Sequence, residues 1–283
     1  LADFDIVGFS LQYELCYSNV LSMLDLAGLP MRATERDEPA PLIVVGGPCA
    51  FNPEPLADFF DCAVIGDGEE VVVELCATVR ASKTSGENRA ALLKRLAAIE
   101  GIYVPSHFMV SYQADGRIEA ITAKDPQQPK VRRRVLADLD SAPYPEQPIV
   151  PFLETIHDRV AIEVARGCTR GCRFCQAGYI YRPVRERQPD TIRNLIDQLL
   201  KHSGYDEVSL LSLSTGDYSA IETLMQNLMG CYADQSIAVS LPSLRVGSLT
   251  PELMNEIKKV RKTGFTLAPE AGSERLRQVI NKG

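Results

Sequence analysis

Three cysteines crowd into one short stretch of the chain: Cys168, Cys172 and Cys175, in Glu163-Val-Ala-Arg-Gly-Cys-Thr-Arg-Gly-Cys-Arg-Phe-Cys-Gln-Ala-Gly. Two of them follow a glycine, so the loop is free to wrap its thiolates around one metal centre. Iron–sulfur clusters take thiolate ligands, and a cubane held by three local cysteines leaves one iron open. An open coordination position separates a reactive metal centre from a structural one, as it does for zinc. Arg166, Arg170 and Arg173 surround the loop, and positive charge favours thiolates and an electron-rich cluster. Three other chemistries could use the same residues. They are a structural zinc ion with Cys231 or His157 as fourth ligand, a redox dithiol at Cys172 and Cys175, and an electron-transfer cluster without an open iron.

The elements around this loop read as a βα series. Strands are expected at Val160–Val164, Glu207–Leu211, Ile237–Leu241 and Gly264–Leu267. Helices are expected at Asp190–His202, Tyr218–Met229, Pro251–Arg261 and Ser273–Ile280. A strand–helix unit takes about 30 residues, so the span from residue 160 has room for about four units, short of a full eight-unit barrel. Earlier in the chain, Asp5–Leu11, Leu42–Val45 and Cys62–Ile65 are apolar runs of the kind buried on both faces of a parallel sheet. Helices are expected at Ser18–Gly28, Glu70–Arg80 and Asn88–Ile99, with Lys83–Glu87 a polar turn. Phe108–Gln113 and Arg117–Thr122 flank Asp115-Gly116, a hairpin signal. Residues 124–151 carry six prolines and the basic cluster Lys130, Arg132, Arg133 and Arg134, read as the solvated face of a linker.

Composition bounds the rest. The 283 residues are 45% hydrophobic and 24% charged, enough for a real core and against disorder of the whole. The net charge of −7 gives no global pull toward nucleic acid. No apolar run is long enough to span a membrane and no secretory signal is visible. Eight cysteines without such a signal favour metal or redox chemistry in a reducing, cytoplasmic compartment over a disulfide framework. The chain begins with Leu1 at the edge of a strand and ends on Asn281-Lys282-Gly283, which reads as a piece of a longer protein.

The Cys-x-x-x-Cys-x-aromatic-Cys spacing after a strand, with Arg166-Gly167 before it and Phe174 inside it, resembles the signature of the radical S-adenosylmethionine (radical SAM) enzymes. The resemblance implies a 4Fe–4S cluster held by Cys168, Cys172 and Cys175, with the unique iron taking the amino and carboxylate groups of S-adenosylmethionine. One-electron cleavage of the sulfonium then yields a 5′-deoxyadenosyl radical. By the same resemblance, Ser214-Thr215-Gly216-Asp217 stands where the family has a Gly-Gly-Glu-like turn, with Thr215 replacing the first glycine. Gly216 and Asp217 are therefore assigned to the cofactor's amino group. The alternative for Asp217 is the N-cap of the following helix. Ser240 and Arg245, after the third strand, are assigned to the ribose or carboxylate, with a surface salt bridge as the plain alternative for Arg245. Glu270, in Ala268-Pro-Glu-Ala-Gly-Ser, is assigned to the ribose, or else acts as a charge near a helix N-terminus.

A second resemblance covers the first part of the chain. Ser10-Leu11, Val45-Gly46-Gly47-Pro48, Pro53-Glu54-Pro55 and Ile65-Gly66-Asp67-Gly68-Glu69-Glu70 look like the cobalamin-binding half of cobalamin-type radical SAM proteins. It implies Gly46 and Gly47 beside the nucleotide tail of a bound cobalamin; the Asp-x-His-x-x-Gly ligand motif is absent. The plain alternative is a scaffold whose glycines only make turns. The expected organisation is a Rossmann-like, cobalamin-binding-type open sheet over 1–82, a helix, hairpin and Pro-rich linker over 83–154, and a partial (βα)6 TIM-like barrel over 155–283. The resemblance implies an enzyme that cleaves S-adenosylmethionine on behalf of an unnamed small-molecule or RNA substrate, with a reductant such as flavodoxin or ferredoxin. The alternatives are a non-catalytic iron–sulfur or cobalamin-like module, and an RNA-modifying (methylthio)transferase suggested by the arginines at 166–187, among them Arg182, Arg185 and Arg187.

Overall fold

The computed structural model describes residues 1–127, 130–153, 155–261 and 267–282. The chain gathers into two compact units, Leu1–Leu136 and Ala137–Gly283.

The first unit is a mixed α/β layer structure on one four-stranded sheet, in the order β1 (Ile6–Ser10), β2 (Leu42–Gly46), β3 (Cys62–Val64), β4 (Ile102–Tyr103). The first three strands are parallel and β4 closes the edge antiparallel to β3. Period-two alternation sends neighbouring residues to opposite faces. Ile43, Val45 and Ala63 pack with Val7 and with Val20 and Leu24 of α1 (Tyr17–Leu26). Leu42, Val44, Cys62 and Val64 pack with Val71, Leu75 and Val79 of α2 (Val71–Ser85) and Leu96 of α3 (Arg89–Ala97). That is why the strands read as unbroken apolar runs: both faces are covered.

Beneath this sheet lies a buried charge network. Asp61 accepts the amide of Ile43 at 2.7 Å and pairs with Arg89 at 2.7 Å and Arg36 at 3.4 Å. Arg36 also donates to the carbonyls of Pro30, Met31 and Phe59.

Two expectations are corrected in this unit. Helix α2 runs to Ser85, so Lys83, Thr84 and Ser85 are helical rather than a turn, and the stop is Gly86 in the left-handed region at φ 68. Ser82 faces the core, which hides the amphipathic period in a polar-looking tail. Arg134 is not on a solvated face. Its amide donates to Ile65, its carbonyl accepts from Asp67, and its guanidinium pairs with Glu70 and Glu74. Gly66, at φ 115, admits this strap because a Cβ there would lie 2.0 Å from the Arg134 carbonyl oxygen. The hairpin forms as expected between β5 (Phe108–Tyr112) and β6 (Ile118–Ala123).

The second unit holds a parallel three-stranded sheet in the order β11 (Ala238–Ser240), β10 (Glu207–Leu211), β7 (Val160–Glu163). Its helices are α5 (Pro189–Ser203), α6 (Ile221–Tyr232), α7 (Pro251–Ile257) and α8 (Glu274–Val279). Ile192, Ile196 and Leu199 of α5 are buried against Val160, Ile162 and Val208. Each such side chain contributes about 1.5–3 kcal/mol on burial. No closed barrel forms among the described residues. Most of the strand expected at Gly264–Leu267 lies outside the described residues; Leu267 forms an isolated parallel bridge with Leu244. Three short elements of this unit escaped sequence reading: the paired two-residue strands β8 (Ala165–Arg166) and β9 (Arg185–Glu186), and the single turn α4 (Ala177–Ile180).

Candidate functional site

The cysteine loop leaves β8 and is shaped by glycines and by α4. Gly167 sits at φ 93, where a Cβ would lie 2.4 Å from the Tyr181 carbonyl oxygen and 2.6 Å from that of Pro183. No other residue fits that close approach. Gly171, at φ 68, makes the second left-handed step. The Cys175 amide donates to the Cys172 carbonyl at 3.0 Å, turning the loop into α4. Cys168, Cys172 and Cys175 are free and half-buried. Among the described residues, no three His, Cys, Asp or Glu side chains converge on a single metal ion, so neither His157 nor Cys231 joins the triplet into a zinc site. A multi-iron cluster ligates each cysteine through a different iron, so its thiolates need not converge on one point. Three accessible thiols on one glycine-hinged loop fit such a group.

Asp217 is the electrostatic centre of the site. It lies in a short 3-10 turn (Thr215–Asp217) after β10. Arg170, from the cysteine loop, donates to it through both Nε, at 2.9 Å, and Nη2. Ser214 Oγ donates at 2.6 Å, and Arg245 Nη1 at 3.2 Å. Burial raises the Asp217 carboxyl, but the bonds from Arg170 and Ser214 and the charges of Arg245 and Arg170 outweigh it and hold it down at about 2. The bond to Asp217 raises Arg170 above the ordinary guanidinium value, with Cys168 and Cys172 close enough to add to the effect. Asp217 therefore ties the cysteine loop to the turns after β10 and β11. It is not a helix cap: α6 begins at Ile221, and Tyr218 is buried with its hydroxyl donating to the Arg187 carbonyl.

The other expected residues fall into two groups. Gly216 belongs to the Asp217 turn, where a Cβ would lie 2.4 Å from Ser248 Oγ, so its glycine is required by the chain's own packing. Glu270, at φ 64, is exposed and pairs with Lys282 at 3.1 Å, while Lys282 lies 5.7 Å from the centroid of the exposed Phe174 ring. The segment after α8 thus meets the cysteine loop. Asn281 Nδ2 donates to the carbonyls of Arg170 and Gly171, and the Arg173 amide donates to that of Ile280. Ser240 stands apart from both groups, on β11, with Oγ 3.4 Å from the Val208 carbonyl oxygen.

Sequence reading missed the pairing of Arg170 with Asp217 and the contacts of Asn281 and Lys282. These partners are far apart in the chain, and no periodicity links them. The arginines after the loop are also not a free anion surface. Arg187 is buried, with Nε on the Glu163 carbonyl and its guanidinium 5.5 Å from the Tyr144 ring centroid. Arg185 is buried too, and Arg182 stacks at 5.4 Å from the Tyr179 ring centroid.

In the first unit, Gly46 ends β2 at the C-terminal edge of the parallel strands, where open α/β sheets take ligands. Gly47 sits at φ 91, and a Cβ there would lie 2.9 Å from the Leu11 carbonyl oxygen. Its lack of a side chain is required by the chain's own backbone. Cys49 and Tyr17 meet beside this edge; burial and then the Cys49 neighbour push the Tyr17 phenol up to about 12.

Comparison with known proteins accords with the cysteine loop. Residues 1–105 match the family of radical SAM proteins, N-terminal, and residues 162–283 match the radical SAM superfamily. The chain belongs to the radical SAM superfamily. It is 30% identical, over its whole length, to the uncharacterized protein MJ0966 of Methanocaldococcus jannaschii, and spans 53% of that protein. In fold it is similar to the radical S-adenosylmethionine methyltransferase TsrM from Kitasatospora setae. The TM-score is 0.58 at 13% identity, covering 96% of this chain and 50% of TsrM, whose structure holds tryptophan and an S-adenosylmethionine analogue. It is also similar to the cobalamin-dependent S-adenosylmethionine radical enzyme OxsB, solved with aqua-cobalamin and S-adenosylmethionine. There the TM-score is 0.59 at 15% identity, covering 99% of this chain and 37% of OxsB. No helix among the described residues is long and apolar enough to cross a membrane.

Proposed function

We propose that this chain carries the S-adenosylmethionine-cleaving centre of a radical SAM enzyme, with Cys168, Cys172 and Cys175 holding a 4Fe–4S cluster. The observation that carries the reading is the glycine-hinged loop of three free thiols, tied through Arg170 to Asp217. The chemistry supplied at such a centre is one-electron reduction of the cofactor's sulfonium, with the electron coming from a flavodoxin- or ferredoxin-like partner of the cytoplasm.

The chain's own residues have definite parts in it. Asp217, ionised down to about pH 2, presents a carboxylate that stays an acceptor at every working pH and suits the amino group of the cofactor. Arg170 and Arg245 aim that carboxylate and keep it charged, and Arg245 offers a cation to the cofactor's carboxylate. Gly216 lets the turn approach Ser248 closely. Glu270, held by Lys282, and Ser240 serve the ribose, and Phe174 lies on the same loop as an exposed aromatic face. The N-terminal unit belongs with the cobalamin-type scaffolds in fold. The close approaches of Leu11 and Arg134 account for Gly47 and Gly66, whereas a Cβ at Gly46 would make only ordinary contact with Val64 at 3.9 Å, so the fold does not itself require that glycine. The RNA-modifying alternative loses Arg185 and Arg187, which are buried.

The test is anaerobic reconstitution with iron and sulfide, followed by electron paramagnetic resonance with and without S-adenosylmethionine. A reduced-cluster signal that shifts on adding the cofactor, with 5′-deoxyadenosine formed, is expected. Cys168→Ala removes signal and product together. Retained cleavage in that variant, or zinc in place of iron, overturns the reading.

A further inference from the structure

A groove of about 1420 Å³ in the first unit lies between α3 and the segments flanking the β5–β6 hairpin. Its walls carry five cations, Lys94, Arg95, Lys124, Lys130 and Arg132, against three carboxylates, Glu87, Glu100 and Asp125. The pairing is uneven. Arg95 is neutralised by Glu87 at 3.0 Å, and Asp125 accepts the amide of Gln127. Glu100 and Asp125 are then the two lining carboxylates set against the four cations Lys94, Lys124, Lys130 and Arg132. Among the described residues, none of these four cations forms an ion pair; Lys124 donates to the Ser106 carbonyl. They come from three separate stretches of the chain, so the local excess is built by the fold and runs against a net charge of −7.

His107 lines the same groove. Burial pushes its imidazole below the ordinary value, and Lys124 and Lys94 push it further, with Asp125 opposing. The positive field therefore reaches the groove wall.

We propose that this groove binds a phosphate-bearing ligand, with Lys94, Lys124, Lys130 and Arg132 as its charge partners. Multiple cations along an open groove suit successive phosphates better than one carboxylate. The volume also exceeds the roughly 300–1,000 Å³ of ordinary small-molecule pockets. The proposal is independent of the cysteine centre: a chain with no iron loaded still has the groove. Two sources share the chemistry, a nucleotide polyphosphate and a single RNA strand.

The probes are inorganic pyrophosphate, ATP and a labelled single-stranded oligoribonucleotide, titrated against the protein at low and high salt. Binding of the strand is expected to weaken about fiftyfold between about 50 and about 200 mM salt, as release of about four counterions requires. Binding of pyrophosphate or ATP as well would mark a polyphosphate site; binding of the strand alone would mark a strand groove. The charge-reversed pair Lys94→Glu with Arg132→Glu is expected to abolish binding, while Lys201→Glu on α5 leaves it unchanged. A nuclear magnetic resonance titration of His107, one of three histidines, reads the same event without a variant: the bound anion offsets Lys94 and Lys124, and its pKa rises. Failure to bind any of the three probes overturns the proposal. So do affinity that survives the reversed pair and polyglutamate binding as tightly as the phosphates.

Discussion

Asp61 and Asp217 each lie between two arginines, one in each unit. Asp61 and Arg36 have side chains 1% and 0% exposed, and Arg89 completes the pairing from α3. Every partner there is internal: the Ile43 amide, two guanidiniums, and carbonyls that take the remaining Arg36 donors. Asp217 is 23% exposed and Arg170 is 49% exposed, and their partners sit on loops at the C-terminal edge of a parallel sheet. The first network joins elements inside the fold of the first unit, with its charges closed off from solvent. The second joins three loops beside the cysteine triplet and leaves one side accessible. Similar ion-pair chemistry thus serves as a structural pin in one place and as a positioned, accessible carboxylate in the other.

The largest expected effect breaks the buried member. Asp61→Ala leaves Arg36 as a buried charge without its carboxylate, which costs about 3–5 kcal/mol. Urea unfolding of the first unit should move by that amount, with cysteine-loop chemistry unaffected in the fraction that remains folded. A loss under about 1 kcal/mol would mean that water reaches Arg36 and that the two networks are alike.

Asp217→Asn sharpens the contrast from the other side. The amide keeps the shape but loses the charge that Arg170 and Arg245 face. Stability should fall by only about 1 kcal/mol, because the pair is partly exposed. Affinity for S-adenosylmethionine should fall about tenfold, a loss of about 1.4 kcal/mol, read by calorimetry on the reconstituted protein. A loss of stability with S-adenosylmethionine affinity unchanged would make Asp217 a structural pin like Asp61.

Acid titration tests the same residue through its charge. Asp217 titrates near 3.8 when unfolded and near 2 when folded, so its contribution is full above about pH 4 and is lost as pH falls toward 2. Comparing wild type with Asp217→Asn should show a gap of about 1 kcal/mol that closes across that window, after allowance for solvent screening. A gap that stays constant with pH would assign the effect to packing.

These two networks also mark where sequence reading stops. The cysteine loop was legible because its chemistry is local: three thiols, two glycines and an aromatic within a few residues. Strands such as Leu42–Gly46 and Glu207–Leu211 were legible because burial on both faces leaves an unbroken apolar run. β4 and the β8–β9 pair were not, since two residues carry no period. The end of α2 was hidden because its last turn is polar, although Ser82 faces the core. Arg187 reads as one more surface cation, yet the fold buries it under Tyr144 and Tyr218. Asp217 was singled out because its turn after the second strand resembles the family's Gly-Gly-Glu-like turn, whereas Arg170 as its partner depends on how the loop folds back.

The smallest expected effect concerns what holds that loop in place. Asn281 donates through one side-chain amide to both Arg170 and Gly171, the residues just before Cys172. It also occupies the left-handed region at φ 56, where asparagine is tolerated and alanine is not. Two causes are therefore mixed in Asn281→Ala, and Asn281→Gly separates them, because glycine keeps the backbone and loses only the bonds. Loss of the bonds should cost about 0.5–1.5 kcal/mol of local stability. Amide hydrogen exchange at residues 170–173 should accelerate correspondingly in both variants, with exchange at β10 unchanged. If glycine restores wild-type protection, the side-chain bonds do not hold the loop, and the accessible Asp217 network rests on Arg170 alone.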